Sequence, residues 1–191
     1  KPEKSMSKKV LVPIADGSEE IEAVCIVDVL RRAGAQVTVA SVEEDLQVAA
    51  SRGVKIVADA SIEDCVDEAF DLIVLPGGMP GAERLRDSKT LAALLHRQKK
   101  DEKPYAAICA APAVVLQPQG LLEGRKATAH PGFVDQLEDD SRADSRVVVD
   151  GSVVTSRAPG TAIEFALALV SLLFGAKKAE EVAAPMLVEF G

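Results

Sequence analysis

Aromatic residues are scarce in this chain of 191 residues. They make up 3% of the composition, with no tryptophan, one tyrosine and five phenylalanines, so valine, leucine, isoleucine and alanine must build the core. The net charge is −8, and no basic cluster interleaved with aromatic residues offsets it. This composition argues against nucleic acid as a partner, because nucleic-acid sites need a strongly positive surface.

Cysteine and histidine are also rare, with three cysteines and two histidines. The spacing of Cys25, Cys65 and Cys109 matches neither a disulfide framework nor a zinc site, and an odd number cannot all pair within one chain. With only His96 and His130 besides, we expect no metal and no other cofactor. A reducing compartment is indicated, either the cytoplasm or an organelle such as a chloroplast or mitochondrion.

Long apolar runs are missing as well. None approaches the ~20 residues that a membrane helix needs, so no membrane partner is expected. Residues 1–8 are polar and lack an apolar secretory core. We interpret them as a flexible tail or the end of a trimmed transit peptide, followed by one domain over residues 9–191. The sequence also contains no P-loop, HExxH or GxSxG motif, and no GxGxxG follows the first strand.

What the chain does contain is a regular alternation of apolar strands with helices. Such strands, buried on both faces, predict an α/β sandwich with a mostly parallel central sheet covered on both sides. Strands are predicted at 9–15, 35–41, 53–58, 71–75 and 105–108, with a hairpin over 146–156. Helices are predicted at 19–33 (capped by Ser18), 61–69, 82–99 and 161–174, and an acidic loop at 138–144.

The ends of three predicted strands carry residues suited to a ligand site. The segments 16–18 and 76–78 and Cys109 each follow a buried strand directly. In parallel sheets of this type, ligands bind outside the carboxyl ends of the strands. We therefore expect these segments to converge on one crevice.

Cys109 lies where an apolar strand meets a predicted helix. Ala110 and Ala111 leave room for a sharp turn, and Pro112 suits a first helical turn. A cysteine in this strand–nucleophile–helix arrangement would be exposed, and the free N–H groups of the helix would favour its thiolate. The alternative is a buried structural cysteine, since free cysteine packs as a small hydrophobe.

The first predicted helix is apolar around nearly its whole circumference. One side can pack on the sheet, and a partner subunit is the simplest cover for the other. Glu22 lies in its first turns. It is either an ordinary acid near a helix N-terminus, or a carboxyl aimed at Cys109, where burial would raise its pKa and allow proton transfer near neutral pH.

Two further motifs have both a structural and a functional interpretation. Gly77 and Gly78 either form a tight turn or bring backbone N–H groups close to a ligand. In the second case Gly78 and Ala110 could form an oxyanion hole. His130 is either a structural histidine or the proton carrier that a cysteine enzyme needs. We expect His96 to lie on the surface.

Together, six stretches resemble the DJ-1 subgroup of the DJ-1/PfpI superfamily: 17–24, 27–34, 75–78, 106–112, 129–131 and 155–166. They occur in the order of that family, and the resemblance extends from about residue 9 to residue 185. The resemblance implies a flavodoxin-like three-layer sandwich and a homodimer through the first helix. It also implies that Cys109 is the reactive, oxidation-prone cysteine, that Glu22 is the protonated glutamate beside it, and that His130 is the nearby histidine.

The resemblance also implies roles for residues around this centre. Gly77, Gly78 and Ala110 match the backbone groups around the sulfur. Arg52 resembles an arginine that reaches the pocket of the neighbouring subunit, and Glu19 matches a polar residue of the same region.

Three functions are compatible with such a centre. The first is a glyoxalase without glutathione or metal, acting on a small dicarbonyl such as methylglyoxal, with related deglycase chemistry. The second is a redox sensor or stress chaperone in which Cys109 is oxidised to a sulfinate. The third is a peptidase, which ranks below the other two.

Overall fold

A seven-stranded sheet is the centre of the computed structural model, which describes residues 7–191. The strand order is β5-β2-β1-β6-β7-β9-β8, and all neighbours are parallel except β8 and β9. A separate antiparallel hairpin joins β3 to β4. The strands are β1 Lys9–Ile14, β2 Gln36–Ser41, β3 Gln47–Ala49, β4 Lys55–Val57, β5 Ala60–Ser61, β6 Leu72–Leu75, β7 Tyr105–Ile108, β8 Val147–Asp150 and β9 Val153–Ser156.

Helices cover both faces of the sheet. The helices are α1 Glu20–Arg32, α2 Gly81–Asp87, α3 Lys89–Lys100, α4 Ala162–Phe174 and α5 Ala176–Ala183. One apolar cluster joins alternate strand residues to α1, α4 and α5, and a second joins the remaining strand residues to α2 and α3. Both faces of the inner strands are thus buried, which confirms the predicted α/β, flavodoxin-like three-layer sandwich with a mostly parallel sheet.

The predicted apolar strands and the 146–156 hairpin are confirmed, but four local predictions are wrong. The predicted 82–99 helix is broken at Ser88, whose hydroxyl accepts a hydrogen bond from Leu91 N and begins a second helix. Residues 61–69 contain only a 3₁₀ turn at Ile62–Cys65. The helix expected after Cys109 is a five-residue π-helical segment, Pro112–Leu116.

The fourth wrong prediction concerns the cap of α1. Ser18 accepts a hydrogen bond from Ala15 N and so does not cap the helix. The carboxylate of Glu19 does this instead, since its Oε2 accepts from Glu22 N at 2.7 Å. The Ser18 hydroxyl therefore tightens the turn after β1, while Glu19 fixes the first turn of α1.

The parallel strands bring their carboxyl ends to one edge of the sheet. There, β1 leads into 16–19, β6 into Gly77 and Gly78, β7 into Cys109, and β9 into Arg157. The turn after β1 is tied directly to the turn after β6, because Glu19 N donates to Gly77 O at 3.0 Å. The predicted convergence of segments is confirmed.

The predicted tail falls largely outside the described residues, of which Ser7 and Lys8 are the first. Lys8 O accepts a hydrogen bond from Gln36 N at 2.8 Å, so the chain is already attached to β2 at this point. Among residues 7–191, none of the helices combines the length and the apolar character that a bilayer crossing requires.

Candidate active site

Cys109 occupies a strained turn directly after β7. Its φ is +66°, a left-handed conformation that residues other than glycine adopt only when their surroundings impose it. Its N–H donates to Ser156 O at 3.0 Å, and its carbonyl accepts from His130 N at 2.8 Å. Two neighbouring segments therefore hold the backbone of the cysteine from opposite sides, as a nucleophile elbow requires.

Glu22 and Cys109 meet across Gly77. A Cβ on Gly77 would lie 2.6 Å from the Cys109 Cβ and 2.9 Å from Glu22 Oε1. Only a glycine lets these groups approach so closely, and its N–H donates to Glu22 Oε1 at 2.9 Å. The second oxygen, Oε2, is buried and has no conventional hydrogen-bond partner in residues 7–191. Because the Cys109 thiol interacts with this carboxyl, the two form a buried pair.

Burial sets the protonation of Glu22, which has no exposed surface. Desolvation raises the pKa of its carboxyl to about 7, although the hydrogen bonds with Gly77 N and Cys109 lower it. The nearby Glu19 carboxylate raises it further. Glu22 can therefore both hold and release a proton near neutral pH, as predicted from the sequence.

The electrostatics of Cys109 differ from the expectation. Burial, followed by the charge and hydrogen bond of Glu22, raises the pKa of the thiol to about 12, although the N–H groups of Ala110 and Gly78 lower it. The expected helix contributes little because it is a five-residue π-helical segment. The prediction of an exposed cysteine is also wrong, because Cys109 is buried and keeps only 9% of its surface exposed; it is a thiol beside a base, not a free thiolate.

The backbone donors predicted for an oxyanion hole are in place around the sulfur. In the free protein the N–H groups of Gly78 and Ala110 are directed to Cys109. Gly78 has a φ of +88°, and a Cβ there would lie 2.5 Å from Glu19 N, so glycine is required. Their use for a substrate oxygen stays a prediction.

The backbone of His130 lies against Cys109, but its ring is engaged elsewhere. Nδ1 accepts a hydrogen bond from Gly132 N at 3.1 Å, and the ring contacts Phe133 edge-on at 6.3 Å between centroids. Because Nδ1 acts as an acceptor, neutral His130 carries its proton on Nε2. Any proton exchange by this residue would use Nε2. Its catalytic role stays a prediction.

Arg52 lies at the tip of the β3–β4 hairpin, and Glu20 holds that tip. The Glu20 carboxylate accepts hydrogen bonds from Ser51 Oγ at 2.7 Å, Arg52 N at 2.9 Å and Val54 N at 3.3 Å. Burial alone would raise the pKa of Glu20, but these bonds outweigh it and lower the pKa. Sequence reasoning missed Glu20, and it could not have identified a partner more than thirty positions away.

The residues of this centre do not include a metal-binding cluster. Within residues 7–191, no group of three or more histidine, cysteine, aspartate or glutamate side chains could hold a metal ion. His96 is exposed on α3, as expected, and Cys65 is buried in the core. Cys25 is half-buried on α1.

Comparison with known proteins identifies the family of the chain. A family model described as "DJ-1/PfpI family" matches residues 8–172. The chain belongs to the DJ-1/PfpI family. Among solved structures, "Toxoplasma gondii DJ-1, oxidized" superposes with a TM-score of 0.94 at 53% identity, covering 96% of this chain and 100% of that one.

Curated DJ-1/PfpI relatives extend the comparison. The chain is 51% identical over 180 residues to "Protein DJ-1 homolog B" of Arabidopsis thaliana. The aligned region covers 94% of this chain but only 41% of that protein. This chain therefore spans less than half the length of that relative. "Glutathione-independent glyoxalase DJR-1.2" of Caenorhabditis elegans is 36% identical over 182 residues, covering 94% of this chain and 95% of that one.

The raised pKa of Glu22 predicts a pH dependence of stability. The folded state binds this proton more tightly than the unfolded chain, whose carboxyl has an ordinary pKa of 4.5. The stabilising contribution is therefore fully present below about pH 4.5 and is lost as the pH rises through about 7, with a magnitude of about 3 kcal/mol. Urea denaturation should show that Glu22→Gln, which stays neutral, loses less stability than wild type between about pH 5.5 and about pH 8.5. Equal losses would contradict a buried, titrating Glu22.

Proposed function

We propose that this protein is a glutathione-independent glyoxalase that converts methylglyoxal or glyoxal to hydroxy acids. The observation that carries the proposal is the buried pair of Cys109 and Glu22, in which a carboxyl with a pKa near 7 lies beside a thiol. Isomerising a 2-oxo aldehyde needs a nucleophile to hold the aldehyde carbon and a base that moves a proton between neighbouring carbons. The pair supplies both groups, and the C. elegans relative named as a glyoxalase supports the assignment.

The reaction begins with a proton transfer within the pair. The Glu22 carboxylate takes the Cys109 proton as the sulfur attacks the aldehyde carbon; an S–C bond forms and the C=O π bond opens. The oxygen then takes this proton from Glu22, which gives a hemithioacetal and restores the Glu22 carboxylate. Before this proton transfer, the N–H groups of Gly78 and Ala110 would donate hydrogen bonds to the developing oxyanion.

The second half needs no external oxidant. Glu22, assisted by His130 Nε2, removes the hydrogen of the former aldehyde carbon as a proton and returns a proton to the neighbouring carbon, while the hydroxyl proton of the first carbon passes to the oxygen of the second. The first carbon is thereby oxidised to a thioester and the second reduced to an alcohol. Water then cleaves the S–C bond, which releases lactate from methylglyoxal and restores the thiol. At an early glycation adduct the sulfur would instead displace the amine from the carbinolamine carbon, the C–N bond would break and the amine would leave with a proton; the later steps are the same, and this is the deglycase form of the activity.

The direct test is an assay with methylglyoxal in the absence of glutathione. Purified protein, treated with a chelator, should consume the dicarbonyl and form lactate in equal amounts, measured by proton NMR. Consumption without lactate would contradict the proposal, because methylglyoxal also reacts with surface arginine and lysine side chains. Heat-denatured protein provides the control for that background.

The main alternative is a redox sensor or stress chaperone that acts through oxidation of Cys109. The Glu22 carboxyl beside the sulfur favours it, because in its protonated form it could donate a hydrogen bond to a sulfinate. The raised pKa of the thiol disfavours it, since peroxide reacts with thiolates. Gain of two oxygens at Cys109 after mild peroxide, with no dicarbonyl turnover, would establish this alternative instead.

We also propose that the protein is a homodimer through α1. Ile21 and Val24 on α1 are 58% and 51% exposed, and Val57 on the β3–β4 hairpin is 65% exposed. Val24 and Val57 line one groove, and Ile21 lies one helical turn before Val24, so these exposed apolar side chains are of the kind that marks protein interfaces. In such a dimer, Arg52 at the hairpin tip would lie near the partner's pocket.

A charge on this surface should separate the subunits. Val24→Glu is expected to shift the protein to monomers in light scattering, because an unpaired carboxylate would be buried in the interface. Val149→Glu is the control, since Val149 is similarly exposed at 55% but lies on β8 at the far edge of the sheet. If Val24→Glu remains dimeric, or if wild type is monomeric, the proposed interface is wrong.

A further inference from the structure

A closed ring of hydrogen bonds surrounds the backbone of Cys109. Cys109 N donates to Ser156 O at 3.0 Å, and His130 N donates to Cys109 O at 2.8 Å. The side chain of Arg157 completes the ring, because its Nε donates to Ala129 O at 3.2 Å. Since Ser156 and Arg157 are consecutive, as are Ala129 and His130, these three bonds join the three segments into one cycle.

The backbone of Arg157 is held in place by the hydroxyl of Thr161. The Thr161 hydroxyl accepts from Arg157 N at 3.2 Å and from Ala158 N at 3.1 Å, and it pairs with Ser156 Oγ at 2.7 Å. Ser156 Oγ lies 2.7 Å from Arg146 O and can donate to it. The Thr161 hydroxyl proton has two possible acceptors, Ser156 Oγ and Ala158 O at 3.0 Å. Ser156 is fully buried and Thr161 is 5% exposed, so the network is shielded from water.

The ring matters because of the strain at Cys109. A non-glycine residue at a φ of +66° costs about 1–3 kcal/mol and persists only when its surroundings impose that conformation. We infer that Arg157 is a positioning residue, which closes the ring and so holds the Cys109 sulfur against Glu22 and the backbone N–H groups. The inference deepens the proposed glyoxalase function and assigns Arg157 no contact with the substrate.

A second role for Arg157 makes different predictions. The side chain is half-exposed at the carboxyl edge of the sheet, so its charge could instead bind a carbonyl oxygen or carboxylate of the substrate. If Arg157 binds the substrate, its replacement should raise KM and leave the reactivity of Cys109 in the absence of substrate unchanged. If Arg157 is a positioning residue, its replacement should lower kcat and change the reactivity of Cys109 in the absence of substrate.

The test compares Arg157→Lys with Thr161→Val, the latter removing only the hydroxyl that anchors the turn. For both variants we expect a fall in kcat of ~10-fold with KM changed less than ~2-fold, because small misplacements of reacting groups cost about this much. Thr161→Ser, which keeps the hydroxyl, should retain the wild-type kcat. Arg146→Lys is the matched control, because Arg146 also donates to a carbonyl of this turn, Gly160 O at 2.9 Å, but lies outside the ring.

Alkylation of Cys109 by iodoacetamide, followed by peptide mass spectrometry, gives a readout that needs no turnover. In wild type its pH profile should show an inflection near 7, which reports Glu22; in Arg157→Lys and Thr161→Val the inflection should weaken. A change in KM alone, or an unchanged alkylation profile in both variants, would overturn the inference. If wild type shows no glyoxalase activity, the proposed function fails, but the alkylation comparison still decides the role of Arg157. If Arg157→Lys does not fold, Thr161→Val decides it.

Discussion

Replacing Cys109 by alanine is expected to lower the conversion of methylglyoxal to lactate by at least ~10³-fold, to the level of denatured protein. Without the sulfur, no covalent bond can hold the aldehyde carbon, and the remaining groups can only bind the substrate. Lactate formation by NMR measures the loss, and the dichroism and melting temperature of the variant report whether the fold is intact. Alanine fits the elbow sterically, so the loss should not reflect unfolding.

Two further variants make this result specific to the sulfur. Cys109→Ser keeps the shape of the side chain but replaces the thiol by a much weaker acid and nucleophile, so it should be nearly as inactive as the alanine variant. Cys25→Ser removes a half-buried thiol on α1 and should retain wild-type turnover. An active Cys109→Ala protein would rule out covalent catalysis by this residue.

Changing Glu22 to glutamine is expected to reduce kcat by about 10²–10⁴-fold, the usual contribution of a general acid–base group. Glutamine fills the same space and can still accept the hydrogen bond from Gly77 N, but it cannot take the Cys109 proton or carry a proton between two carbons. The elbow and its sulfur should therefore remain in place. Glu180→Gln, on the exposed face of α5, is the matched control and should leave turnover unchanged.

The pH profile separates a base from a merely structural carboxyl. Because the Glu22 carboxylate must accept the thiol proton, kcat/KM of wild type should rise with pH through about 7. In Glu22→Gln, the pH profile of the residual activity should no longer rise near pH 7. It should follow the ionisation of the Cys109 thiol alone. A limb near 7 that survives in the variant would assign the limb to a group other than Glu22.

The strands and the elbow could be predicted because their signals are local. Strands buried on both faces appear as unbroken apolar runs, and the runs ending at Leu75 and Ile108 have no competing interpretation. Because parallel strands end at one edge, Gly77, Cys109 and Glu22 could also be expected in one crevice. The packing of Glu22 against Gly77 agrees with that expectation.

The errors share a different origin. The apolar stripe of Leu85, Leu91 and Leu94 continues across the break between α2 and α3, so periodicity alone conceals the new start at Ser88. Serine is a preferred cap residue and glutamate is not, but the Ser18 hydroxyl is bonded to Ala15 N in the turn after β1, which leaves the cap of α1 to Glu19.

The thiolate expectation failed for a similar reason. Helix N-termini favour thiolates in general, but the pKa of Cys109 depends on how deeply the fold buries the sulfur and on the charge of Glu22. Neither quantity can be obtained from the residues next to Cys109 in the sequence. Likewise, the ring closed by Arg157 joins segments almost thirty positions apart. Its motif was visible in the sequence, but its contact with Ala129 O was not.

The covalent intermediate is the most direct test of the Cys109–Glu22 pair. Wild-type protein mixed with methylglyoxal and quenched in acid within one turnover should carry a lactoyl thioester on the peptide containing Cys109, identified by tandem mass spectrometry. Cys25 and Cys65 should be unmodified, and Glu22→Gln should accumulate the preceding hemithioacetal, or no adduct, in place of the thioester. Full lactate production without any adduct on Cys109, or with the thioester on another cysteine, would contradict the account.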